Sequence, residues 1–276
     1  MAGMLYLVPT PIGNLSDISP RCRQTLAEAD FIAAEDTRVS LKLLNHLELK
    51  KSLVSYHEHN KAESGEKILA RLLAGETCAL VTDAGSPAIS DPGEDLVRLC
   101  AEHGVTVCAI PGPCALVTAL SISGLPTGRF TFEGFLSVNK KSRQEHLTGL
   151  KDETRTMIFY EAPHKLLATL QDLSAAFGAE RKISLCRELT KLHEEVRRTT
   201  LGEAAAYYVG NPPRGEFVLV VAGAEEAAEE SCTFEGALAL VRARMDEGLS
   251  TKDAVKQVAK LTGFAKNQLY DAILKG

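Results

Sequence analysis

The sequence predicts an α/β protein with a mostly parallel N-terminal sheet over residues 1–125, a mixed-sheet second domain over 126–224 and a small helical extension over 234–276. Three observations predict it. Short apolar runs alternate with amphipathic helical patterns through the first 125 residues, as in a parallel sheet covered on both faces. Pro126 and Gly128 then punctuate the chain ahead of a second group of strands, and an acidic linker over 225–233 precedes three further helical patterns.

In chain order, "LYLVP" reads as a strand and "ISPRCRQTLAEAD" as an amphipathic helix. "FIAAED" gives the next strand, "TRVSLKLLNHL" a helix, "SLVSY" a third strand and "ESGEKILARLLAG" another helix. "TCALVTD" and "VTVCAIPG" are strands on either side of the helix "GEDLVRLCAEHG". Beyond Gly128 come the strand "RFTFEGFL", a helix over 142–150, the strand "TRTMIFYEA", a helix over 164–177, and the strands "KISLCREL" and "EFVLVVAG". The tail reads as helices over 234–247, 251–261 and 265–274; Ser250 and Asp253 have capping-box spacing, and Gly263 marks a turn. A helix-turn-helix of this kind either contacts RNA or packs as an accessory bundle.

Composition narrows the classes. No apolar stretch approaches the roughly 20 residues of a membrane span, and the start "MAGMLYLVPTPIGN" has no secretory-signal pattern, so a cytoplasmic location is expected. The seven cysteines, Cys22, Cys78, Cys100, Cys108, Cys114, Cys186 and Cys232, are scattered and fit reduced structural thiols. No C-x-x-C pair occurs, and His57 and His59 have no third ligand in sequence, so no metal is expected. The net charge of −5 lies in residues 1–125; residues 126–224 and 231–276 are each +2, around an acidic −4 at 225–230. This argues against a wholly electrostatic nucleic-acid binder and leaves room for a local basic face.

Nucleotide fingerprints are missing: the turn after the first strand, "PTPIGN", is no G-x-G-x-x-G, and no Walker A loop follows. Three restricted loops, 9–14, 83–92 and 111–115, follow successive strands whose ends converge in a parallel sheet. Gly85 and Gly112 remove side-chain bulk, and Pro87, Pro92 and Pro113 limit loop freedom. The pattern points to a small-molecule or cofactor cleft; ordinary structural turns are the other reading.

The ordered set "LYLVPTPIGNLSD", "AEDTR", "TDAGSPAISDPG", "FYEAPHK", "RELTKLHEE" and "GEFVLVV" resembles the ribosomal RNA small-subunit methyltransferase I family, within the tetrapyrrole (corrin/porphyrin) methylase superfamily. "STKDAVKQVAKLTGFAKNQLYDAI" resembles that family's helical extension. The resemblance spans nearly the whole chain. It implies a homodimer of two-domain tetrapyrrole-methylase-like subunits that use S-adenosyl-L-methionine to methylate the ribose 2′-hydroxyl of a decoding-region cytidine in 16S rRNA, within the 30S subunit, with no DNA or membrane partner. It places Pro11, Asp83, Gly85, Ser86, Pro87, Ile89, Cys114 and Ala115 near the cofactor, with Tyr160, Glu216, Phe217 and Val218 contributed by the second domain. The superfamily's first loop resembles G-P-G-D, whereas this chain has Pro11, Ile12, Gly13 and Asn14, so no acidic role passes to Asn14.

Methyl transfer to a hydroxyl requires alignment and a place for the proton. Glu35, Asp36 and Arg38 are candidates for orienting the hydroxyl, accepting its proton and holding a phosphate; an Asp36 helix cap with an Arg38 ion pair is the structural alternative. Arg187, Glu188 and Lys191, with Glu194 and Glu195, form either a surface ion-pair network or part of the cleft and RNA path, with Lys191 stabilising charge on the ribose oxygen. Glu133 and Glu161 are weaker candidates that also suit bracing of the domain junction. Lys140, Lys141, Arg143, Lys151 and Arg155, and on the tail Lys252, Lys256, Lys260 and Lys266, are candidates for phosphate contact or simply for a solvated face. A tetrapyrrole methyltransferase and a non-enzymatic ribosome-assembly RNA-binding protein are the alternative functions.

Overall fold

The structure is a computed structural model that describes residues 3–225 and 233–275, so most of the expected acidic linker lies outside the described residues. Residues 1–223 form one compact unit and residues 224–276 a second.

The first unit opens with five short strands, β1 (Met4–Leu7), β2 (Phe31–Ala34), β3 (Ser52–Ser55), β4 (Cys78–Val81) and β5 (Thr106–Ala109), all parallel in the order β3-β2-β4-β1-β5. Their side chains point alternately to two cores. Leu5, Phe31, Ala33, Cys78 and Leu80 face α3 (Lys61–Leu73) and α4 (Glu94–Glu102), while Ile32, Ala34, Ala79 and Val81 face α1 (Pro20–Glu28) and α2 (Thr37–His46). Burial on both faces explains why the central β2 and β4 read as continuous apolar runs. The order also sets the site: β4, β1 and β5 are neighbours, so the loops leaving their C-terminal ends lie side by side.

The second sheet has the order β6-β7-β10-β8-β9, built from β6 (Phe130–Phe135), β7 (Thr156–Glu161), β8 (Lys182–Arg187), β9 (Glu195–Thr200) and β10 (Phe217–Val221). Only β6 and β7 run parallel; the other pairs are antiparallel. One face, with Met157, Phe159, Leu185 and Leu219, packs on α6 (Lys140–Gly149), α7 (Leu166–Phe177) and α8 (Leu201–Gly210). The opposite face, with Ile158, Cys186, Val218 and Val220, receives Leu116, Ala119 and Leu120 of α5 (Ala115–Ile122), the helix that follows the last strand of the first sheet.

Three elements are not apparent from the sequence pattern. α5 is apolar nearly all round, "ALVTALSI", and so lacks an amphipathic stripe. β9, "EVRRTT", is an edge strand, where charged residues are ordinary. α8 follows it directly, capped by Thr200.

The N-cap residue of α5, Cys114, makes no side-chain cap bond. The Leu116 amide donates instead to the Tyr160 hydroxyl on β7 at 3.0 Å, so a second-domain side chain closes a first-domain helix. Burial pushes the Tyr160 hydroxyl well above the ordinary tyrosine range and keeps it neutral.

The second unit, described by itself, contains α9 (Phe234–Asp246), α10 (Thr251–Thr262) and α11 (Lys266–Lys275) around Ala237, Val241, Val255, Val258 and Leu269. The N-cap half of the capping box forms: Ser250 Oγ accepts from the Asp253 amide at 3.2 Å, while the Asp253 carboxylate accepts from the Ser250 hydroxyl at 2.6 Å. Gly263 ends α10 in the left-handed region, φ 74°.

Both caps can be tested by substitution. Tyr160→Phe leaves the Leu116 N–H without its acceptor and should lower the unfolding free energy by about 1–3 kcal/mol, read from urea denaturation. Ser250→Ala should destabilise the helical unit by about 0.5–2 kcal/mol, seen as faster hydrogen exchange at the start of α10 and unchanged exchange in β4.

Candidate functional site

The three restricted loops meet. Thr10 and Gly85 exchange backbone hydrogen bonds of 2.9 and 3.0 Å, and the Thr10 hydroxyl donates to the Thr82 carbonyl at 3.0 Å. Ser86 Oγ donates to the Pro113 carbonyl at 2.9 Å, tying the second loop to the third. Gly85 has φ 91°, and a Cβ there would sit 3.4 Å from Ile12; a Cβ on Gly112 would come within 2.9 Å of Pro9. Gly112 is needed because the first loop occupies the space, and Gly85 because of its positive φ.

Beside this junction lies an apolar cleft of about 360 Å³. Ile12, Ala84 and Ala115 of the first domain form one wall, and Phe135, Tyr160, Glu161, Cys186, Leu189 and residues 216–218 form the opposite wall. Of the expected cofactor residues, Ala115, Tyr160, Glu216, Phe217 and Val218 line this cleft. Cys114 packs into the same apolar cluster as Ile12 and Tyr160. Ser86, Pro87 and Ile89 instead line a separate depression with Leu7, Pro9 and α4. Gly85 acts in the junction, Pro11 lies in the first loop between Thr10 and the lining Ile12, and Asp83 immediately precedes the lining Ala84. The sequence pattern does not single out Ile12, Ala84, Phe135, Cys186 and Leu189, ordinary apolar residues that only the packing of two sheets selects.

At the ends of β2 and β4 the carboxylates gather around Thr82. The Thr82 hydroxyl donates to Glu35 Oε2 at 2.7 Å. The Asp36 amide donates to Asp83 Oδ1 at 3.2 Å. Burial, then the neighbouring Glu35, raises the Asp83 carboxyl; burial likewise raises Asp91, against a hydrogen bond from Thr82. The Asp36 side chain is engaged elsewhere. It caps α2 through the Arg38 amide at 2.8 Å and pairs with the Arg38 guanidinium at 2.6 Å. Arg38 holds the Asp36 carboxyl down at about 2. The structural arrangement therefore occupies Asp36, while the Arg38 side chain remains 87% exposed.

The turn between β8 and β9 reaches the same cleft. Lys191 Nζ lies 3.0 Å from Glu188 and 2.8 Å from Glu216, and Glu188 Oε1 also accepts from the Glu216 amide at 2.9 Å. Burial raises the Glu188 carboxyl, but the Glu216 amide and Lys191 outweigh it and the net shift is downward. For Lys191, burial lowers the ammonium, and Glu216 and Glu188 reverse this to a net rise. Glu188 and Thr190 adopt left-handed φ values of 51° and 65°, uncommon outside glycine. Gly13 admits this turn to the first loop: a Cβ there would lie 2.5 Å from Lys191 Cγ and 2.8 Å from Thr190 Oγ1. Arg187 donates to the Arg214 carbonyl at 2.6 Å and lies 3.6 Å from Glu195.

The basic candidates divide. Arg143 is mostly buried and bonds Asp172 at 2.6 Å and Thr169 at 2.8 Å, fastening α6 to α7. Arg155 is bound to Glu153 at 2.6 Å within one turn. Lys140, Lys141 and Lys151 are exposed, and the first two occupy the first turn of α6, where the helix dipole disfavours cations. Lys252, Lys256 and Lys260 share the exposed face of α10, and Lys266 begins α11, also exposed. Glu133 pairs with His146 at 2.8 Å, and Glu161, buried, accepts from Thr169 and from the Ala162 amide. Both brace the second domain, and Glu161 also lines the cleft. Among the described residues no group of three His, Cys, Asp or Glu side chains is placed to hold a metal, and no helix is long and apolar enough to cross a membrane.

The tetrapyrrole (corrin/porphyrin) methylase model matches residues 4–205, and the model of the RsmI C-terminal HTH domain matches 235–276. The chain is 49% identical over 273 residues to the ribosomal RNA small subunit methyltransferase I of Synechocystis sp., covering 99% of this chain and 98% of that protein. It is 45% identical over 276 residues to that of Pseudomonas aeruginosa, covering 99% and 98%. Among solved structures it is similar to a diphthine synthase (TM-score 0.61, 14% identity, 80% of this chain and 90% of that one). It is also similar to the uroporphyrin-III-C-methyltransferase of Thermus thermophilus (TM-score 0.56, 20% identity, 79% and 94%). These structural likenesses establish the fold, and the sequence matches carry the kinship. The chain belongs to the ribosomal RNA small subunit methyltransferase I family, within the tetrapyrrole (corrin/porphyrin) methylases.

Proposed function

We propose that the protein transfers a methyl group from S-adenosyl-L-methionine to the ribose 2′-hydroxyl of a decoding-region cytidine in 16S rRNA, with the small ribosomal subunit as substrate. The observation that carries this reading is the junction of three first-domain loops beside an apolar cleft closed by the second sheet. Its relatives act, by name, on small-subunit ribosomal RNA.

The cleft suits the donor. Ala84, Ala115 and Ala162 keep its walls low, the Tyr160 ring adds an aromatic side chain to the lining, and the Glu216 carboxylate supplies charge opposite to a sulfonium. When bound, the donor supplies an electrophilic methyl. The chain's own residues orient the acceptor, exclude water and take the proton. Ile12, Leu189, Phe217 and Val218 make the interior apolar. Asp36 is occupied as a cap and strongly acidic, so it is a poor proton acceptor; Asp83, raised by burial and by Glu35 and standing next to Ala84, is better matched to proton acceptance. Lys191 positions Glu216: two of its three donors go to Glu188 and Glu216, and one remains for an oxygen of the substrate. Lys140, Lys141 and the α10 lysines are suited to phosphates, whose contacts position RNA without reading its bases. A homodimer and a cytoplasmic location belong to the same reading.

Labelled methyl transfer to purified small subunits, with naked 16S rRNA and a precorrin as parallel substrates, tests it. Label in an alkali-resistant dinucleotide from small-subunit rRNA is the expected result; label in the precorrin alone overturns it in favour of tetrapyrrole methylation. Lys191→Ala should lower turnover on the order of 10- to 100-fold and reduce transfer more than donor affinity, because it removes the donor facing a substrate oxygen as well as the partner that holds Glu216. For stability the signs are explicit. Glu188 is lowered from 4.5, so its contribution is present above that value and fades as pH falls below it. Lys191 is raised from 10.5, so its contribution is present below that value and is lost as pH rises beyond it. The melting-temperature difference between the unaltered chain and Glu188→Gln should therefore be flat from about pH 5 to 10 and shrink outside that window.

A further inference from the structure

Phe135 is placed by a backbone irregularity that also turns its neighbour Leu136 into the core on the opposite face of the sheet. β6 pairs with β7 in parallel, Phe132 opposite Ile158, but the register then shifts so that Gly134 lies opposite Phe159 and Phe135 opposite Tyr160. Glu133 is the extra residue, and Gly134 takes the left-handed φ of 64° that lets the strand recover. In an unbroken strand residues 132 and 135 would project from opposite faces. The bulge returns Phe135 to the face of Ile158 and Tyr160, which is the cleft face, and sends Glu133 to His146 on α6.

The ring that arrives there is left uncovered. Phe135 is 59% exposed, and among the lining residues it alone is a large hydrophobic side chain open to solvent to that degree. It is not loose: its ring stands edge-on to Tyr160, centroids 5.6 Å apart at 67°, and Phe132 supports Tyr160 from 5.0 Å. The result is a braced aromatic plate in the cleft lining that is more than half open to solvent.

We propose that this plate stacks the base of the target nucleotide, fixing the third point needed to aim its ribose. Phosphate contacts set the register of an RNA strand but leave rotation about the sugar open, whereas a stacked base fixes the plane from which the 2′-oxygen projects. Any base has a π-face, so the plate holds the nucleotide without choosing it. This role rests on the RNA-methylating reading above and specifies how the site takes its substrate. The other planar occupant is the adenine of the methyl donor, and the experiment separates the two.

Donor affinity by calorimetry and steady-state methylation of purified small subunits are compared for Phe135→Ala, Phe135→Leu and Phe135→Trp, with thermal melts as the folding control. Phe135→Ala should raise the KM for subunits about tenfold or more with donor Kd unchanged, Phe135→Leu should resemble it, and Phe135→Trp should restore the native KM. Restoration by Phe135→Leu would show a space-filling role and overturn the proposal. Donor Kd rising in step with KM would assign the plate to adenine and overturn it equally. If Phe135→Ala does not fold, the leucine and tryptophan variants decide alone. Failure of the unaltered chain to methylate subunits at all would sink the functional reading itself, whereas normal methylation by both Phe135→Ala and Phe135→Leu would sink only this role.

Discussion

The site depends on the seating of α5 against the second sheet. That helix leaves the third restricted loop with a bare N-terminus, presses Leu116, Ala119 and Leu120 onto Ile158, Val218 and Val220, and has its Leu116 amide closed by Tyr160. Two consequences come from one contact. The first domain's loops are held facing the second sheet, and the uncovered end of that sheet face becomes the far wall of the cleft. A buried amide without an acceptor is costly, so the hydroxyl of Tyr160 contributes to geometry as well as to lining.

Around that frame the chain distributes charge by confinement. Asp36 and Arg38 neutralise one another at the start of α2, and Lys191 sits between Glu188 and Glu216 on a turn with two left-handed residues. The carboxylates left over, Asp83 and Asp91, are raised by burial and by their acidic neighbours around Thr82. Acidic groups tuned in opposite directions within one cluster are what proton handling requires. Within the same unit the exposed cations Lys140 and Lys141 lie on the first turn of α6, outside these pairs; the helical unit, by itself, carries three lysines on the open face of α10.

Much of this was legible in the sequence. Short apolar runs alternating with helical patterns located the five parallel strands, and Ser250 with Asp253 located the start of α10, because these signals are local. α5, β9 and α8 were not legible, for reasons of context: a helix buried between two domains shows no stripe, and an edge strand tolerates the arginines that a central one would reject. The split among the expected cofactor residues, with Ala115, Tyr160 and residues 216–218 in the cleft and Ser86, Pro87 and Ile89 on another surface, is likewise invisible in a motif that holds all of one loop together.

The sequence by itself determined the alternation of strands and helices, the three stiff loops and their order, and the kinship carried by their motifs. Each of these follows from backbone preference and local hydrophobic pattern, which neighbours along the chain express. Only the tertiary structure decided that Gly112 is needed for close packing, that Asp36 caps a helix while Asp83 accepts from the Asp36 amide, and that a bulge at Glu133 turns Phe135 toward the cleft. Those outcomes depend on which residues meet across two sheets, and pairing at that distance is set by register and packing rather than by any local preference.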